Sequence, residues 1–223
     1  NLIGDRAKSL FKALHSANIV GARGSVHLDF LGVSFPIKGN SAVGELMQEW
    51  LAEWMQIQNI PFRATLDKQV PPDFYLGESN EEDLLEVKFF TKSPNFDLAN
   101  WDSFVRDIPL NPHRLLADYL VFEYEMTEGS LQIIDVWLKK LWELSSSSED
   151  LPLKFQRKQG KLINLRPAAF ASSRAKYKPF QTLDEFLDAC EATINIFAGK
   201  QKSQEWRDAV DEGLLKLGQV KTG

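Results

Sequence analysis

The amino-acid sequence predicts an α/β fold in which mixed, mostly antiparallel strands are flanked by helices. Two patterns support this prediction. Several segments carry apolar residues at helical spacing, and short runs between them alternate apolar and polar residues as strands do. The chain has 223 residues, of which 43% are hydrophobic. That is enough to bury one substantial core, so we expect a single domain over residues 1–223.

The first part of the chain is predicted to contain two helices separated by two short strands. Residues 5–16 form an amphipathic helix, and residues 26–31 and 33–38 alternate as strands, with Pro36 typical of a sheet edge. A second helix is predicted over residues 42–58 because its apolar residues fall on one stripe. The stripe consists of Val43, Leu46, Met47, Trp50, Leu51, Trp54 and Ile57.

The central part is predicted to consist mainly of strands. Ser93 and Pro94 predict the start of a helix between two of them, because serine caps helices and proline suits the first helical position. The other predicted elements are strands at residues 71–76, 83–90, 117–125 and 130–138 and a short helix at 138–144.

The last third is predicted to hold a linker, SSSSED at residues 145–150, followed by a basic hairpin around Gln159-Gly160 and two closing helices. The helices are expected at residues 182–197 and 203–217. By function, we divide the expected domain into a catalytic core (about 20–145), a basic segment (about 151–183) and C-terminal helices (183–217).

Several classes of protein are excluded by composition. A run of 18 apolar residues is absent, so we expect no membrane span, and the N-terminal residues lack the apolar stretch of a signal peptide. The only cysteine, Cys190, excludes an internal disulfide and a multi-cysteine zinc site. The sequence has no GxxxxGK[ST] loop, so we expect no ATP-driven activity. The simplest compartment is a reducing cytoplasm.

Three polar residues on the two strands around the 77–82 turn are predicted to share one face. Pairing these strands so that Leu76 faces Asp83 places Asp73 across from Glu86, and Lys88 follows on the same side. The opposite face is then wholly apolar, and a slip of one residue would turn the charges inward. The residues of that apolar face are Phe74, Leu76, Leu85, Val87 and Phe89.

This arrangement of charges suits phosphodiester hydrolysis. Two carboxylates about 5 Å apart favour a hard divalent cation such as Mg²⁺, which prefers oxygen ligands and keeps several waters. Lys88 can orient or deprotonate an attacking water and offset negative charge that develops at phosphorus. We therefore predict Asp73 and Glu86 as metal ligands and Lys88 as a catalytic residue, with Glu49 of the preceding helix as an additional acidic group. A solvated surface glutamate is an equally good interpretation of Glu49.

A second charge pattern predicts contact with DNA. Residues 151–183 contain eight basic and no acidic residues, so the rest of the chain carries a net charge of −13 against −5 overall. Such segregation creates a local positive field, although a solvated basic loop is the alternative. The candidate DNA contacts are Lys154, Arg157, Lys158, Lys161, Arg166, Arg174, Lys176 and Lys178.

Taken together, these segments resemble the PD-(D/E)XK restriction endonucleases. The catalytic motif reads PPDFYL…LLEVKFF. A narrower resemblance to the NgoBV/NlaIV-like type II restriction enzymes extends in order from about residue 20 to 170. The segments that carry it are AVGELMQEWLAEW, PNFDLANWDSF, HRLLADYLVFEYE, IIDVWLKKLWEL and KLINLRPAAF.

The resemblance implies an α/β/α core of the restriction-endonuclease type with a mixed, largely antiparallel sheet. It also implies a homodimer that cuts both strands of double-stranded DNA at a short palindrome such as GGNNCC, with one or two Mg²⁺ per active site. Two other activities remain open: a structure-specific or repair nuclease of the same fold, and a non-catalytic DNA-binding protein.

Overall fold

The computed structural model describes residues 3–37, 43–65 and 71–218 of the chain. The chain divides into two compact units. Unit 1 comprises Asn1–Ser93 and Asp118–Lys139, and unit 2 comprises Pro94–Ala117 and Lys140–Gly223. The expectation of a single domain with a catalytic core, a basic segment and C-terminal helices stays a prediction.

Most helices and strands lie close to their predicted positions. The helices are α1 (Asp5–Ser16), α2 (Val43–Ile57), α3 (Trp101–Asp107), α4 (Leu183–Ala198) and α5 (Lys200–Lys216), with short 3-10 helices at Pro112–Leu116 and Trp142–Leu144. The strands are β1 (Arg23–Ser25), β2 (His27–Phe30), β3 (Val33–Pro36), β4 (Arg63–Ala64), β5 (Phe74–Tyr75), β6 (Leu84–Phe90), β7 (Ala99–Asn100), β8 (Asp118–Thr127), β9 (Ser130–Lys140), β10 (Phe155–Lys158) and β11 (Lys161–Leu165). Among the described residues, no helix has the length and apolar content needed to cross a bilayer.

Unit 1 is built on a mixed six-stranded sheet of order β1-β9-β8-β6-β5-β4. β6 and β8 are parallel, whereas β5 pairs with β6, β4 with β5 and β1 with β9 in the antiparallel sense. Residues of α1, α2 and the sheet form one hydrophobic core, in which Leu10, Leu51, Leu85 and Phe122 are fully buried. The mixed, largely antiparallel sheet with helices packed against it was predicted from the sequence.

Helix α2 forms because its apolar residues recur every three to four positions, and it buries the N-terminal half of the predicted stripe. Val43, Met47 and Leu51 are buried, together with Met55, which the predicted stripe did not include. Ile57 was assigned to the stripe, but its side chain is 71% exposed, so this assignment is wrong. Residues four apart on a helix drift by about 40°, which carries the stripe toward Met55 and away from Ile57.

The two short strands predicted in this region, β2 and β3, pair as a hairpin that presents an apolar face to solvent. Its pairs include Leu28 with Phe35 and Phe30 with Val33. Because side chains alternate along a strand, these four residues share one face. Each is between 45% and 67% exposed. This hairpin is amphipathic, with its apolar side uncovered.

Unit 2 contains a three-stranded sheet of order β10-β11-β7 and the helices α3, α4 and α5. The predicted basic hairpin is confirmed, and its turn residues Gln159 and Gly160 have φ angles of 50° and 77°. The predicted closing helices are also confirmed, with Thr182 capping α4. Cys190 is buried in α4.

The helix predicted to begin at Ser93-Pro94 begins instead at Trp101. Asn100 is its N-cap and accepts a hydrogen bond from the backbone N–H of Ser103 at 3.1 Å. The residues before it extend along β11, because the Leu98 N–H donates to the carbonyl oxygen of Leu165 at 3.0 Å. The tertiary strand pairing therefore prevails over the local capping signal of Ser93.

Residues 145–150 were predicted to be a linker, but the serines that open this segment are buried. Ser145 and Ser146 are 0% and 2% exposed. The Ser145 hydroxyl donates to the Leu141 carbonyl oxygen at 2.8 Å, and the Ser145 carbonyl oxygen accepts from the Phe180 N–H. The helix predicted before it, residues 138–144, is reduced to the 3-10 turn Trp142–Leu144 because β9 continues to Lys140.

The corrected start of α3 predicts which cap residue contributes to stability. Asn100→Ala is expected to lower the free energy of unfolding by about 1 kcal/mol, because Ala cannot accept the hydrogen bond from Ser103. The matched change Ser93→Ala is expected to have an effect within about 0.5 kcal/mol. Urea denaturation of the two variants tests this, and a larger loss for Ser93→Ala would contradict the assigned helix start.

Candidate active site

The pairing of strands β5 and β6 positions three of the residues predicted to be catalytic, Asp73, Glu86 and Lys88. Phe74 pairs with Leu85 and Tyr75 with Leu84, which is the register predicted from the apolar alternation. Phe74 and Leu85 are 4% and 0% exposed and lie in the hydrophobic core of unit 1. The predicted register is confirmed, and it directs the residues between the apolar ones to the other side of the sheet.

Asp73 directly precedes β5, and the same register places it opposite Glu86. Its Oδ2 accepts a hydrogen bond from the backbone N–H of Val87 at 2.7 Å. Its backbone oxygen accepts from the Thr65 N–H at 3.3 Å. The carboxylate of Asp73 is therefore anchored to the backbone of β6, immediately next to Glu86.

Glu86 and Lys88 are on the same side of β6 and form an ion pair. The Lys88 Nζ lies 3.2 Å from the Glu86 Oε2. Glu86 is 5% exposed, whereas the Lys88 side chain is 22% exposed. The other oxygen of Glu86, Oε1, is buried and has no hydrogen-bond partner among the described residues. A buried carboxylate oxygen of this kind is costly unless another group satisfies it.

The electrostatics of the pair are dominated by burial of the glutamate. Burial raises the pKa of Glu86 from its usual 4.5 to about 7, although the Lys88 ammonium lowers it; the Asp73 carboxylate raises it again. Near neutral pH this acid is therefore divided between its protonated and ionised forms. A further positive charge beside Oε1 would favour the ionised form.

The donor set fits a divalent cation held by few protein ligands. Asp73 and Glu86 supply carboxylate oxygens, and the orphaned Oε1 of Glu86 is a free ligand position. Within residues 3–37, 43–65 and 71–218, no group of three or more His, Cys, Asp or Glu side chains is arranged to hold a metal. Two carboxylates without a full protein cage match Mg²⁺, which is usually bound through one or two carboxylates and several waters.

Tyr119 is a residue of this site that the sequence interpretation missed. It pairs with Glu86 across the parallel strands β6 and β8 and is 5% exposed. Burial, followed by the negative charges of Glu86 and Asp73, raises the pKa of Tyr119 well above its usual value of 10. Local alternation assigned Tyr119 to a strand, but it could not predict which strand lies beside β6, because that pairing joins distant parts of the chain.

Glu49 lies near the predicted ligands without joining them in a group. It is exposed on α2 and lines a pocket of about 110 Å³ together with Gln48 and Asp73. Because Glu49 and Asp73 line the same pocket, the position of Glu49 is compatible with its predicted role as an additional acidic residue. That role stays a prediction.

The predicted DNA contacts all lie in unit 2, and three of them pair with acids outside the basic segment. Arg157 lies 2.7 Å from Asp150, and Lys176 lies 3.6 Å from Glu149. Arg166 pairs with Asp97 and also donates to the carbonyl oxygen of Asn95. The positive field of the segment is therefore weaker than its sequence charge of +8 implied.

The other five basic residues have no carboxylate within 4.0 Å in the part of the chain that the structure describes. Lys158 and Lys161 are exposed at the turn of the β10–β11 hairpin. Arg174 and Lys178 are exposed in the following loop, where the Lys178 Nζ donates to the Ser173 carbonyl oxygen at 2.5 Å. Lys154 is partly buried.

Comparison with known proteins identifies relatives along almost the whole chain. The type II restriction enzyme NlaIV of Neisseria lactamica is 34% identical over 218 residues, which cover 94% of this chain and 89% of that enzyme. The type II restriction enzyme NgoBV of Neisseria gonorrhoeae is 32% identical over 161 residues, or 69% of this chain and 90% of that enzyme.

A solved structure of the NlaIV restriction endonuclease superposes on this chain with a TM-score of 0.88 at 31% identity, covering 97% of this chain and 90% of that one. This similarity confirms the predicted fold class of a restriction-endonuclease-like α/β protein. The family model described as NgoBV restriction endonuclease matches residues 5–218. The chain therefore belongs to the NgoBV restriction endonuclease family.

Proposed function

We propose that this protein is a type II restriction endonuclease that hydrolyses phosphodiester bonds at a specific site in double-stranded DNA. The observation that carries the proposal is the grouping of Asp73, which directly precedes β5, with Glu86 and Lys88 of β6. Membership of a family of restriction endonucleases supports the same activity.

Each of the three residues has a distinct proposed role. Asp73 and Glu86 would hold one or two Mg²⁺ ions through their carboxylate oxygens, and the bound ion would supply Lewis-acid stabilisation of the charge at phosphorus. As an ammonium, Lys88 would orient the attacking water and offset the developing negative charge, whereas accepting the proton of that water would require its neutral amine form. Asp73 keeps its position through the Val87 N–H, so that one of its oxygens stays fixed while the other is available.

Glu49 is proposed as an additional acid because its side chain lines the same pocket as Asp73. At that position it could bind a second ion through water or orient a water ligand. This role depends on Glu49 turning its carboxylate toward the pocket when an ion is bound.

The eight basic residues of unit 2 are proposed to contact DNA. Lysines and arginines bind phosphates through charge, and arginine can also read guanine in the major groove. Five of the eight, including Lys158 and Lys161, have no carboxylate partner among the described residues and are therefore the strongest candidates. Arg166 would have to release Asp97 before it could read a base.

We further propose that the protein acts as a homodimer on a palindrome, with GGNNCC as the site suggested by resemblance. One set of Asp73, Glu86 and Lys88 serves one strand, so cutting both strands of a two-fold symmetric site calls for two copies of the chain. The proposed location is the cytoplasm of a prokaryotic cell, where the DNA substrate lies.

Incubating the protein with plasmid DNA and Mg²⁺ is expected to produce discrete fragments, because a type II enzyme cuts only at its own site. Sequencing the fragment ends should place every cut at the same short palindrome, and a plasmid without GGNNCC should stay intact. Random degradation would instead support a nonspecific or repair nuclease. Preference for branched DNA would support a structure-specific nuclease, and binding without cleavage would support a non-catalytic DNA-binding protein.

Lys88→Ala is expected to reduce the cleavage rate by at least about 10²-fold, because it removes the ammonium beside the reacting phosphate. Binding of the specific duplex, measured in Ca²⁺ to prevent cleavage, should change little. The control is Lys12→Ala, an exposed lysine on α1, which should cleave at the wild-type rate. Loss of DNA binding in Lys88→Ala would contradict the assigned role.

The buried carboxyl of Glu86 predicts a pH-dependent stability. Its folded-state pKa of about 7 lies above the unfolded value, so the metal-free protein loses stability as pH rises from about 4.5 to 7. Glu86→Gln mimics the neutral acid, so at pH 8 it should be more stable than the wild type by about 3 kcal/mol. Urea denaturation at pH 5 and pH 8 measures this difference.

Two controls separate this effect from an unrelated gain. Glu82→Gln changes an exposed glutamate in the preceding turn and should not alter stability at either pH. Adding Mg²⁺ at pH 8 should stabilise the wild type more than Glu86→Gln, because the variant lacks one of the two proposed carboxylate ligands. Equal stability of the wild type and Glu86→Gln at pH 8 without metal would contradict the assigned burial.

A further inference from the structure

Unit 2 contains a polar pocket outside the candidate active site. Its volume is about 210 Å³, and its lining includes the serines of residues 146–148, the side chains of Lys154 and Lys176, and Tyr177. All of these residues belong to unit 2. The lining of the pocket therefore includes two lysines and several residues that carry a hydroxyl group.

Lys154 is the unusual member of this pocket because its charge is partly buried without an acid beside it. Its Nζ donates one hydrogen bond, to the Pro167 carbonyl oxygen at 2.9 Å. No carboxylate lies within 4.0 Å of it among the described residues. Burial, and then the nearby Arg166, lowers the pKa of Lys154 below its usual value of 10.5. An ammonium has three donors, so two remain for another group.

The backbone holds Lys154 in this position from both sides. Its N–H donates to the Ser146 carbonyl oxygen at 3.0 Å, and its own carbonyl oxygen accepts from the Arg166 N–H at 2.9 Å. Ser146 is itself buried. The base of this side chain is therefore set by a buried strand-like pairing, unlike that of an exposed surface lysine.

The second lysine of the pocket, Lys176, has only a weak, exposed ion pair. The Lys176 Nζ lies 3.6 Å from the Glu149 Oε1 and 5.0 Å from the centre of the Tyr177 ring. The side chains of Lys176 and Glu149 are 72% and 84% exposed. An exposed pair of this kind contributes little to stability, so Lys176 can exchange Glu149 for another anion at little cost.

We propose that this pocket binds a single phosphate group, with Lys154 and Lys176 as its charged ligands and the hydroxyl groups of Ser147 and Tyr177 as additional donors. A phosphate supplies the negative charge that is missing beside Lys154, and its oxygens can accept hydrogen bonds from several donors at once. The source of the phosphate is a backbone position of bound DNA, and this part of the inference rests on the proposed function.

This assignment separates Lys154 from the other basic residues of its segment. Exposed lysines such as Lys158 contribute to DNA affinity through the general field, whereas a phosphate seated in a pocket also fixes the position of the backbone. Arg157 and Arg166 are already balanced by Asp150 and Asp97. Among the eight candidate residues, Lys154 is therefore the one whose removal should cost the most affinity per charge.

The test compares Lys154→Met with Lys202→Met, which removes an exposed lysine from α5 and so controls for net charge. Affinity for duplex DNA is measured in Ca²⁺ at several salt concentrations. Lys154→Met is expected to weaken binding about tenfold and to reduce the slope of log K against log salt by about 1. Lys202→Met should change the affinity by less than about twofold. Equal losses in the two variants would overturn the proposal.

Inorganic phosphate provides a test that does not depend on nuclease activity. Adding it should raise the melting temperature of the wild type and of Lys202→Met, but not that of Lys154→Met. Absence of a phosphate effect in the wild type would overturn the pocket assignment, even if the protein cuts DNA. A phosphate effect with unchanged DNA binding in Lys154→Met would overturn the DNA source. A protein that binds phosphate at Lys154 but cleaves no DNA would contradict the proposed function alone.

Two further measurements exclude a folding defect. Lys154→Met keeps an unbranched side chain of similar length and removes both a partly buried charge and the hydrogen bond to Pro167, so in phosphate-free buffer its melting temperature should stay close to that of the wild type. Lys154→Arg keeps the charge and should retain DNA affinity within about threefold. Loss of affinity in Lys154→Arg equal to that in Lys154→Met would contradict a role for the positive charge.

Discussion

The antiparallel pairing of β5 with β6 is the constraint on which the candidate site depends. Phe74 and Leu85 face each other inside the core, so the neighbouring residues Asp73 and Glu86 have to lie on the opposite side of the sheet. The hydrogen bond from the Val87 N–H to the Asp73 carboxylate extends the contact between the two segments beyond the paired residues. The core therefore positions the acids, and a slip that separated them would also expose apolar side chains.

The unfavourable free energy of this arrangement arises mainly at Glu86. Its carboxyl group is almost completely buried, shares its surroundings with Asp73 and has one oxygen without a hydrogen-bond partner among the described residues. Lys88 offsets only part of the unfavourable energy, as the raised pKa of Glu86 indicates. Unfavourable burial of an ionisable group is common at functional sites, where the group is positioned to bind a ligand and the fold is less stable as a result.

Local patterns were sufficient for the features that depend on neighbouring residues, and insufficient for those set by distant ones. Apolar residues at helical spacing predicted most helices, the Gln159-Gly160 turn predicted the basic hairpin, and apolar alternation predicted the register that joins Asp73 to Glu86. It could not predict that the strand pairing of Leu98 would displace the helix start from Ser93, because Leu165 lies far along the chain. For the same reason, neither the position of Tyr119 beside Glu86 nor the acid partners of the basic segment could be read from the sequence.

The path of the chain between the two parallel strands has a consequence for engineering. β6 and β8 belong to unit 1, but the connection between them, Pro94–Ala117, belongs to unit 2. There it is held by much later residues: the indole nitrogen of Trp206, for example, donates to the Val105 carbonyl oxygen at 3.1 Å. Unit 2 is therefore not a removable cassette. A truncation after Lys139 would leave the crossover without its packing partners, and chimaeras with a relative would need several junctions to transplant this unit whole.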